Sequence, residues 1–277
     1  MEIPSVPFHA HESYKCGPAA MAMLLQWSKA NISPQELVPK VFVPAKRGSL
    51  QPTLISAARR YNRLAYPIKG IEALLKELTA GHPVIILQNL GLQWFPRWHY
   101  AVAIGYNLAK GIFILHSGKE PRRHMSWALF MRTWKRADYW GLLVLPPGHL
   151  PASADEQSYL SAVFGLEKAR QFQGAAAAYS AALKRWQSSL GALMGLGNCR
   201  YALGDLINAE QAFRRAAEAH QTSGAACNNL AHVLADQGRY AEAIEMANHA
   251  VDIGGPEKPL YLRTLQKIQT MVKTGPE

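Results

Sequence analysis

The chain has 277 residues, of which 49% are hydrophobic, so it is long enough for one large domain or two modest ones with real cores. No apolar run approaches the roughly 18 residues that a membrane span needs. The start, "MEIPSVPF", has neither the basic nor the apolar region of a signal peptide, so we expect no export signal in this sequence.

The net charge of +11 is confined to the first half of the chain. Residues 1–150 carry 18 Lys and Arg against 7 Asp and Glu, whereas residues 151–277 carry 12 of each. A basic surface attracts nucleic acids, anionic lipids or acidic proteins. The basic residues are scattered and no nucleic-acid motif accompanies them, so we expect a solvated face and no nucleic-acid partner.

The pattern of the first half predicts helices followed by strands. Helical periodicity covers residues 17–30, 52–62 and 71–80, and apolar runs rich in β-formers cover 83–88, 99–106, 111–117 and 140–146. This order predicts an α+β domain over residues 1–148. The segment 149–155, rich in proline and small polar residues, is predicted to be a linker.

The second half repeats with a period of 34 residues. Alanine recurs at 175, 209 and 243, and again at 182, 216 and 250, while Gly204 and Gly238 take the turn where the first unit has Arg170. A unit of this length is a helix–turn–helix that buries its apolar face by stacking on its neighbours. The pattern resembles three tetratricopeptide repeats over residues 156–257, followed by a capping helix and tail over 258–277.

The three cysteines are an odd and sparse set, which argues against a disulfide framework. Cys199 and Cys227 fall at small-residue positions of the repeats, and we expect both to be buried. Cys16, in "HESYKCGPAA", stands at a helix entrance with Gly17 and Pro18 in the first turn. The helix dipole and free backbone N–H groups are expected to lower the pKa of this thiol and make it a nucleophile. The alternative is a buried structural cysteine.

A cysteine nucleophile needs a base, and His99 offers one. It opens an apolar strand in "PRWHYAVAIGYN", where its side chain can face a cleft while the strand body is buried. The combination of a cysteine at a helix entrance and a histidine at a strand edge favours nucleophilic catalysis.

"CGPAAMAML" followed by "WHYAVAIGY" resembles the papain-like, bacteriocin-processing cysteine peptidases, which cut after a double-glycine leader. The segments "GSLQP", "AARRY", "GHPVIILQNLGL" and "YALGD" extend the resemblance over essentially the whole chain, to the bacterial branch that carries C-terminal tetratricopeptide repeats. The resemblance implies an α+β papain-like peptidase domain followed by an all-α tetratricopeptide-repeat solenoid. It implies Cys16 as the nucleophile and His99 as the general base and acid.

The resemblance also assigns two supporting residues, both altered here. The family places a glutamine in the oxyanion hole five or six residues before the cysteine, where this chain has His11. The family holds the imidazole with an Asp or Asn after the next strand, where this chain has Ser117. Asn107 and Asp138 are the alternatives for that third position.

Two further features bear on ligands. Trp94 and Trp98 could wall a narrow slot beside His99, which with the resemblance predicts cleavage after two small residues such as Gly-Gly. His9, His11, His99 and Cys16 include plausible zinc ligands, but their spacing is not that of a compact zinc motif. We therefore expect neither a metal nor a cofactor.

These observations favour a cysteine peptidase acting on a peptide or small protein, with the repeats binding substrate or a partner protein. The alternatives are a catalytically degenerate scaffold for protein–protein interaction and a Cys–His acyltransferase. The resemblance implies a periplasmic or envelope-associated location, near a membrane surface, with the cytoplasm as the alternative. The oligomeric state and the natural substrate stay open.

Overall fold

The computed structural model describes residues 1–11 and 13–274. The chain divides into two compact units, Met1–Gln171 and Phe172–Glu277. This division falls one helix after the predicted linker at 149–155, and the predicted domain limits stay predictions. Within the described residues, no helix combines the length and hydrophobicity that crossing a membrane requires.

The first unit holds six α-helices, two short 3-10 helices and eight strands among its described residues. The helices are α1 (Cys16–Trp27), α2 (Pro34–Val41), α3 (Gln51–Arg60), α4 (Ile71–Thr79), α5 (Trp127–Lys135) and α6 (Glu156–Lys168). The strands are β1 (Phe42–Val43), β2 (Gly48–Ser49), β3 (Leu64–Lys69), β4 (Val84–Asn89), β5 (Trp98–Asn107), β6 (Ile112–Ser117), β7 (Glu120–Ser126) and β8 (Trp140–Leu145).

Six of these strands form one antiparallel sheet in the order β3-β8-β4-β5-β6-β7. The central strands are almost continuously apolar, because both of their faces are buried. The four strands predicted from the sequence are β4, β5, β6 and β8. Strand β7, "EPRRHMS", lies at the sheet edge with mostly exposed side chains, and its polar sequence gave no strand signal.

Helix α1 places its first residue against the sheet. Its residues are buried from Cys16 to Leu25, and it packs on β5. A helix that is apolar on all sides belongs in the interior of a domain, which is where "CGPAAMAMLLQW" lies. The start of this helix is thereby held beside the start of β5.

The N-terminal residues run along β5 toward the start of α1. The Ile3 N–H donates to the Ile104 carbonyl at 2.8 Å, and the buried His116 ring bonds the Val6 carbonyl through Nε2 at 3.1 Å. The other ring nitrogen of His116 accepts the Arg122 N–H at 3.1 Å. These bonds hold the N-terminal segment, residues 1–11, which carries His11.

The segment after β8 is fastened to α4 by a buried carboxylate. One oxygen of Glu77 accepts both the N–H and the hydroxyl of Ser153 at 2.6 Å, and the other lies 2.7 Å from His82 Nδ1. Burial opposes ionisation of Glu77, but these hydrogen bonds prevail and lower the pKa of its carboxyl. The segment is therefore tied to the first unit.

The second unit is entirely helical in its described part. Its helices are α7 (Phe172–Arg185), α8 (Leu190–Ala202), α9 (Leu206–Ala219), α10 (Gly224–Asp236), α11 (Tyr240–Ile253) and α12 (Lys258–Thr274). Gly204 and Gly238 both have φ of +76° at the turn between paired helices, and Arg170 takes the same left-handed region at +59°. This agrees with the turn positions predicted from the period of 34 residues.

Small residues in the repeats allow the helices to approach closely. A Cβ on Gly195 would lie 2.3 Å from the Tyr179 ring, and one on Gly197 would lie 2.5 Å from the Phe213 ring. Cys199 and Cys227 are buried, as predicted. The predicted fold class, an α+β domain followed by an all-α repeat array, is confirmed.

Candidate active site

Cys16 begins α1 and lies in a cleft while only 4% of its surface is exposed. Backbone N–H groups in the first turn of a helix have no partner within the helix, so the N–H groups of Cys16 and Gly17 belong to the orphan set. Gly17 is required by packing, because a Cβ there would lie 2.2 Å from Ser49 Oγ and 2.4 Å from Ser49 Cβ. Cys16 thus provides the thiol, and Gly17 leaves room for the β1–β2 hairpin to pack against the start of α1.

Burial raises the pKa of the Cys16 thiol, against hydrogen bonds from the backbone of Tyr100, Gly17 and Cys16 itself, which lower it. The sequence predicted a lowered pKa from the helix dipole. That prediction is wrong for this arrangement, because desolvation of a nearly buried thiolate outweighs the backbone groups. The thiol is therefore protonated at neutral pH.

His99 lies at the start of β5 and is held by Ser117. Its Nε2 lies 2.9 Å from Ser117 Oγ, and both side chains are buried. Burial is the main cause that lowers the pKa of His99 to about 4, with smaller electrostatic contributions from His11, Arg123 and Arg97. The ring is neutral at pH 7, and with Nε2–H donating to the hydroxyl, Nδ1 carries the lone pair of a general base.

The structure brings the thiol beside the strand residue that follows His99. Cys16 and Tyr100 line the same cleft, and a Cβ on Gly17 would lie 3.7 Å from the Tyr100 ring, so the start of α1 lies against the residue that follows His99. The start of β5 pairs with β4 but is free of a strand partner on its β6 side, because β5 pairs with β6 only from Val102 onward. Among the described side chains, no hydrogen bond joins the thiol to the imidazole, and the two line adjacent clefts.

His11 lies over His99, with ring centroids 5.8 Å apart and planes inclined by 22°. Its Nδ1 bonds the His9 carbonyl at 3.1 Å, which requires a proton on Nδ1. The neutral ring then has an acceptor at Nε2, and that atom is buried without a partner. Burial lowers the pKa of His11, so a donor at Nε2 requires protonation that the site disfavours. In this tautomer Nε2 has no hydrogen to donate to an oxyanion. The predicted oxyanion role of His11 stays a prediction.

The other residues weighed for the site lie elsewhere. Asn107 accepts the Lys110 N–H at the far end of β5, and Asp138 forms an exposed ion pair with Lys69 at 2.6 Å. His9 bonds Gln26 instead of joining a cluster. Within the described residues, no group of three or more His, Cys, Asp or Glu side chains is placed to hold a metal ion.

Two clefts flank the start of β5. The cleft that holds Cys16 is about 780 Å³ and includes Trp98, Tyr100 and Ser49, and the other holds His99, Ser117 and His11. Trp94 lines neither cleft and is 82% exposed. Sequence reasoning missed Ser49, whose hydroxyl is buried without a partner near the nucleophile. The only sequence signal for Ser49 was its place in "GSLQP", one of the segments that carry the family resemblance.

Gly17→Ala should destabilise the first unit by roughly 1–3 kcal/mol, because the added Cβ overlaps Oγ and Cβ of Ser49 and forces the β1–β2 hairpin away from α1. Urea denaturation of the full chain is the measurement. Ala19→Gly is the control for helix propensity, which it lowers by about 1 kcal/mol without any overlap. A Gly17→Ala protein as stable as the parent would contradict the packing described for the helix start.

Cys16 should be the thiol that iodoacetamide labels fastest in the folded protein. Cys199 and Cys227 are 0% and 1% exposed, whereas Cys16 lines an open cleft. Because burial raises the Cys16 pKa, the labelling rate should climb through the alkaline range instead of reaching a plateau in mild acid. Peptide mapping by mass spectrometry reads all three sites. Equal labelling of the three, or a plateau already in mild acid, would contradict this description.

Comparison with known proteins agrees with this arrangement. The model of the family described as "Peptidase_C39 like family" matches residues 2–140, and two tetratricopeptide-repeat models match residues 165–226 and 224–253. No curated protein matches the chain.

Three solved structures illustrate the similarities. A candidate C39-like peptidase from Bacillus anthracis is 18% identical, with a TM-score of 0.45 over 52% of this chain and 96% of that one. The peptidase domain of Streptococcus ComA, a bi-functional ABC transporter, is 19% identical, with a TM-score of 0.41 over 50% and 96%. The Yersinia enterocolitica type III secretion translocator chaperone SycD is 21% identical, with a TM-score of 0.40 over 42% and 85%.

The family model spans half of the chain and includes both the cysteine at the helix start and the histidine at the strand start. The repeat models begin after it and follow the helical hairpins. The chain therefore belongs to the C39-like peptidase family and carries tetratricopeptide repeats after its peptidase-like domain.

Proposed function

We propose that this protein is a cysteine peptidase in which Cys16 is the nucleophile and His99 the general base. The observation that carries the proposal is that Cys16 shares a cleft with Tyr100, the residue that follows His99, while Ser117 engages His99 Nε2. That engagement leaves Nδ1 as the ring nitrogen that can exchange a proton with the thiol. Family membership supports the same reading.

The reaction starts from a neutral pair, because burial disfavours both the thiolate and the imidazolium. Nδ1 of His99 takes the thiol proton as the sulfur attacks the carbonyl carbon of the scissile peptide bond. The oxygen that gains charge faces the orphan N–H groups at the start of α1. His99 then gives its proton to the leaving amine, and an acyl-thiol remains on Cys16.

Water completes the reaction. His99 takes a proton from the water molecule that attacks the acyl-thiol carbonyl, and returns it to the departing Cys16 sulfur. The Ser117 hydroxyl orients the ring in both halves, but it stabilises an imidazolium less than a carboxylate would. We therefore expect a slow enzyme.

The proposed substrate is a protein segment with two small residues before the scissile bond and acidic residues nearby. Trp98 lines the Cys16 cleft and is the residue that we propose as a wall of the slot for the two small residues. Lys46, Arg47 and Arg136 line the same cleft, and its one acidic residue, Asp138, is already paired with Lys69. A cleft lined by one sign of charge attracts the opposite charge, and salt weakens that attraction.

The repeats are proposed to bind a protein segment. The second unit has a cavity of about 330 Å³ lined by the amides of Asn198 and Asn229 together with Tyr201, His232 and Lys267. The amides lie 3.3 Å apart and can meet both donors and acceptors of an extended backbone. The periplasmic or envelope location, and which protein is bound, stay predictions.

The test is cleavage of a peptide library with Gly-Gly, Gly-Ala, Ala-Ala or bulky pairs before the cut, at low and high salt. We expect Gly-Gly peptides with acidic flanks to be cut fastest, and the advantage of the acidic flanks to fade at high salt. Cys16→Ala is the inactive control. Products are identified by mass spectrometry.

The outcomes separate the alternatives. Equal cutting of bulky pairs would contradict the narrow slot. A protein that cuts no peptide would contradict the peptidase proposal and favour a scaffold, a role consistent with the raised pKa of Cys16. Transfer of the acyl group to an added amine, with no hydrolysis product, would favour the acyltransferase.

A further inference from the structure

The loop between β4 and β5, residues 90–97 with Trp98 at the strand start, carries an unusual exposed apolar surface, and we call it the aromatic loop. Trp94 is 82% exposed and Phe95 is 68% exposed. The other large apolar side chains that it exposes are Leu90, Leu92 and Trp98. Large apolar side chains concentrated at one surface site mark an interaction surface.

The loop is held in this exposed form by the buried side chain of Asn89. Its Oδ1 accepts the N–H groups of Gly91 and Arg97, each at 2.9 Å, and its Nδ2 donates to the Leu92 carbonyl at 3.2 Å. Gly91 is needed for the turn, because a Cβ there would lie 2.4 Å from the Phe95 carbonyl oxygen. The aromatic side chains are therefore displayed by a built loop.

Basic side chains surround the aromatic loop. Arg97 belongs to it, and Lys119 and Arg123 join Arg97 and Leu90 in the cleft of His99. On the other side, Arg136 bonds the Gly91 carbonyl. The acidic residues nearby are already engaged, since Glu120 lies 3.9 Å from Arg123 and Asp138 pairs with Lys69. The surroundings of the loop are positive.

We propose that the aromatic loop is an interfacial anchor that binds an anionic lipid bilayer. Exposed Trp and Phe side chains are typical of the boundary between lipid headgroups and acyl chains. Lipids rearrange around a protruding loop, whereas a protein partner would need a pocket of matching shape. The basic residues around the tip meet anionic headgroups, and each adds to the attraction. Docking in this way places the clefts of Cys16 and His99 at the membrane surface. The proposal does not depend on the peptidase reaction.

The test is co-sedimentation of the full chain with vesicles of phosphatidylcholine alone and of phosphatidylcholine mixed with phosphatidylglycerol. We expect binding to the mixed vesicles, weak binding to the neutral ones, and a loss of binding as salt is raised. The double substitution Trp94→Ser, Phe95→Ser should weaken partitioning into the mixed vesicles by roughly ten-fold or more. Leu108→Ser is the matched control, because Leu108 is 61% exposed on the β5–β6 turn and should leave binding unchanged.

A second variant reports the position of the loop. Trp94→Phe should keep vesicle binding but reduce quenching of the protein fluorescence by brominated lipid, because Trp94 is the tip residue. The proposal is overturned if the full chain does not bind the mixed vesicles, or if the double variant binds them as well as the parent. It is also overturned if the double variant loses only peptide affinity or self-association, since the loop would then serve substrate or a second copy.

Discussion

Replacing His99 by alanine should lower kcat/KM for a cleaved peptide by about 10³-fold, within the range of roughly 10²–10⁴ that general-base catalysis contributes. The reason is that the Cys16 thiol is protonated at neutral pH, so attack on the peptide requires a base at the moment of reaction. Steady-state kinetics with a Gly-Gly peptide measure the effect. A His99→Ala enzyme that keeps most of its kcat/KM would remove His99 from the mechanism.

Two substitutions at Ser117, with opposite expected effects on kcat, test how the His99 ring is held. Ser117→Ala should lower kcat by about ten-fold with little change in KM, because orientation of the ring matters mainly in the transition state. Ser117→Asp should raise kcat and move the acidic limb of the pH profile upward, because a carboxylate stabilises the imidazolium. Asn107→Ala is the control, since Asn107 lies at the other end of β5. Sensitivity at Asn107 and none at Ser117 would contradict the assignment.

Acidification should destabilise the first unit, with His99 contributing on the order of 3 kcal/mol. The pKa of His99 is about 4 in the folded protein, mainly because the ring is buried, against about 6.5 in an unfolded chain. Between these values the unfolded chain binds a proton that the folded chain does not, so the free energy of unfolding falls as the pH falls from about 6.5 to about 4. Above pH 6.5 the ring is neutral in both states and this loss of stability is absent, and below about pH 4 the loss is complete. Hydrogen exchange of β5 peptides in urea, compared near pH 7 and near pH 4.5, measures it.

His99→Gln separates this group from the other histidines. Burial also lowers the pKa values of His11 and His116, so the variant should retain part of the acid sensitivity and lose the His99 share. His149→Gln, at an exposed position, is the control for replacing a histidine at the surface. An identical pH dependence in His99→Gln and the parent would show that the ring is not held neutral by its surroundings.

The sequence was informative wherever a pattern reports burial or a repeat. Alanines spaced by 34 residues predicted the helical hairpins, because close helix packing admits only small side chains at fixed positions. The apolar run after His99 predicted β5, and "CGP" predicted the start of α1. Helix α2 was missed because it is only eight residues long and contains Pro39, which weakens any helical signal.

Chemical details of the site depended on three-dimensional partners that no pattern specifies. The tautomer of His11 follows from the carbonyl of His9, and the raised pKa of Cys16 follows from burial. The sequence predicted Trp94 and Trp98 as walls of a slot beside His99, whereas the structure places Trp94 in an exposed loop. Trp94 lines neither cleft, and the loop that carries it is held by hydrogen bonds of Asn89, which the sequence does not reveal.

The central claim is that Cys16 forms an acyl-thiol that water hydrolyses. The direct measurement is incubation of the full chain with a Gly-Gly peptide in water enriched in oxygen-18, followed by an acid quench and mass spectrometry of both the peptide products and the intact protein. We predict one oxygen-18 atom in the new carboxylate of the N-terminal product and an acyl adduct that maps to Cys16. Cleavage that persists in Cys16→Ala, or a reactive Cys16 that forms no adduct and no product, would contradict the claim.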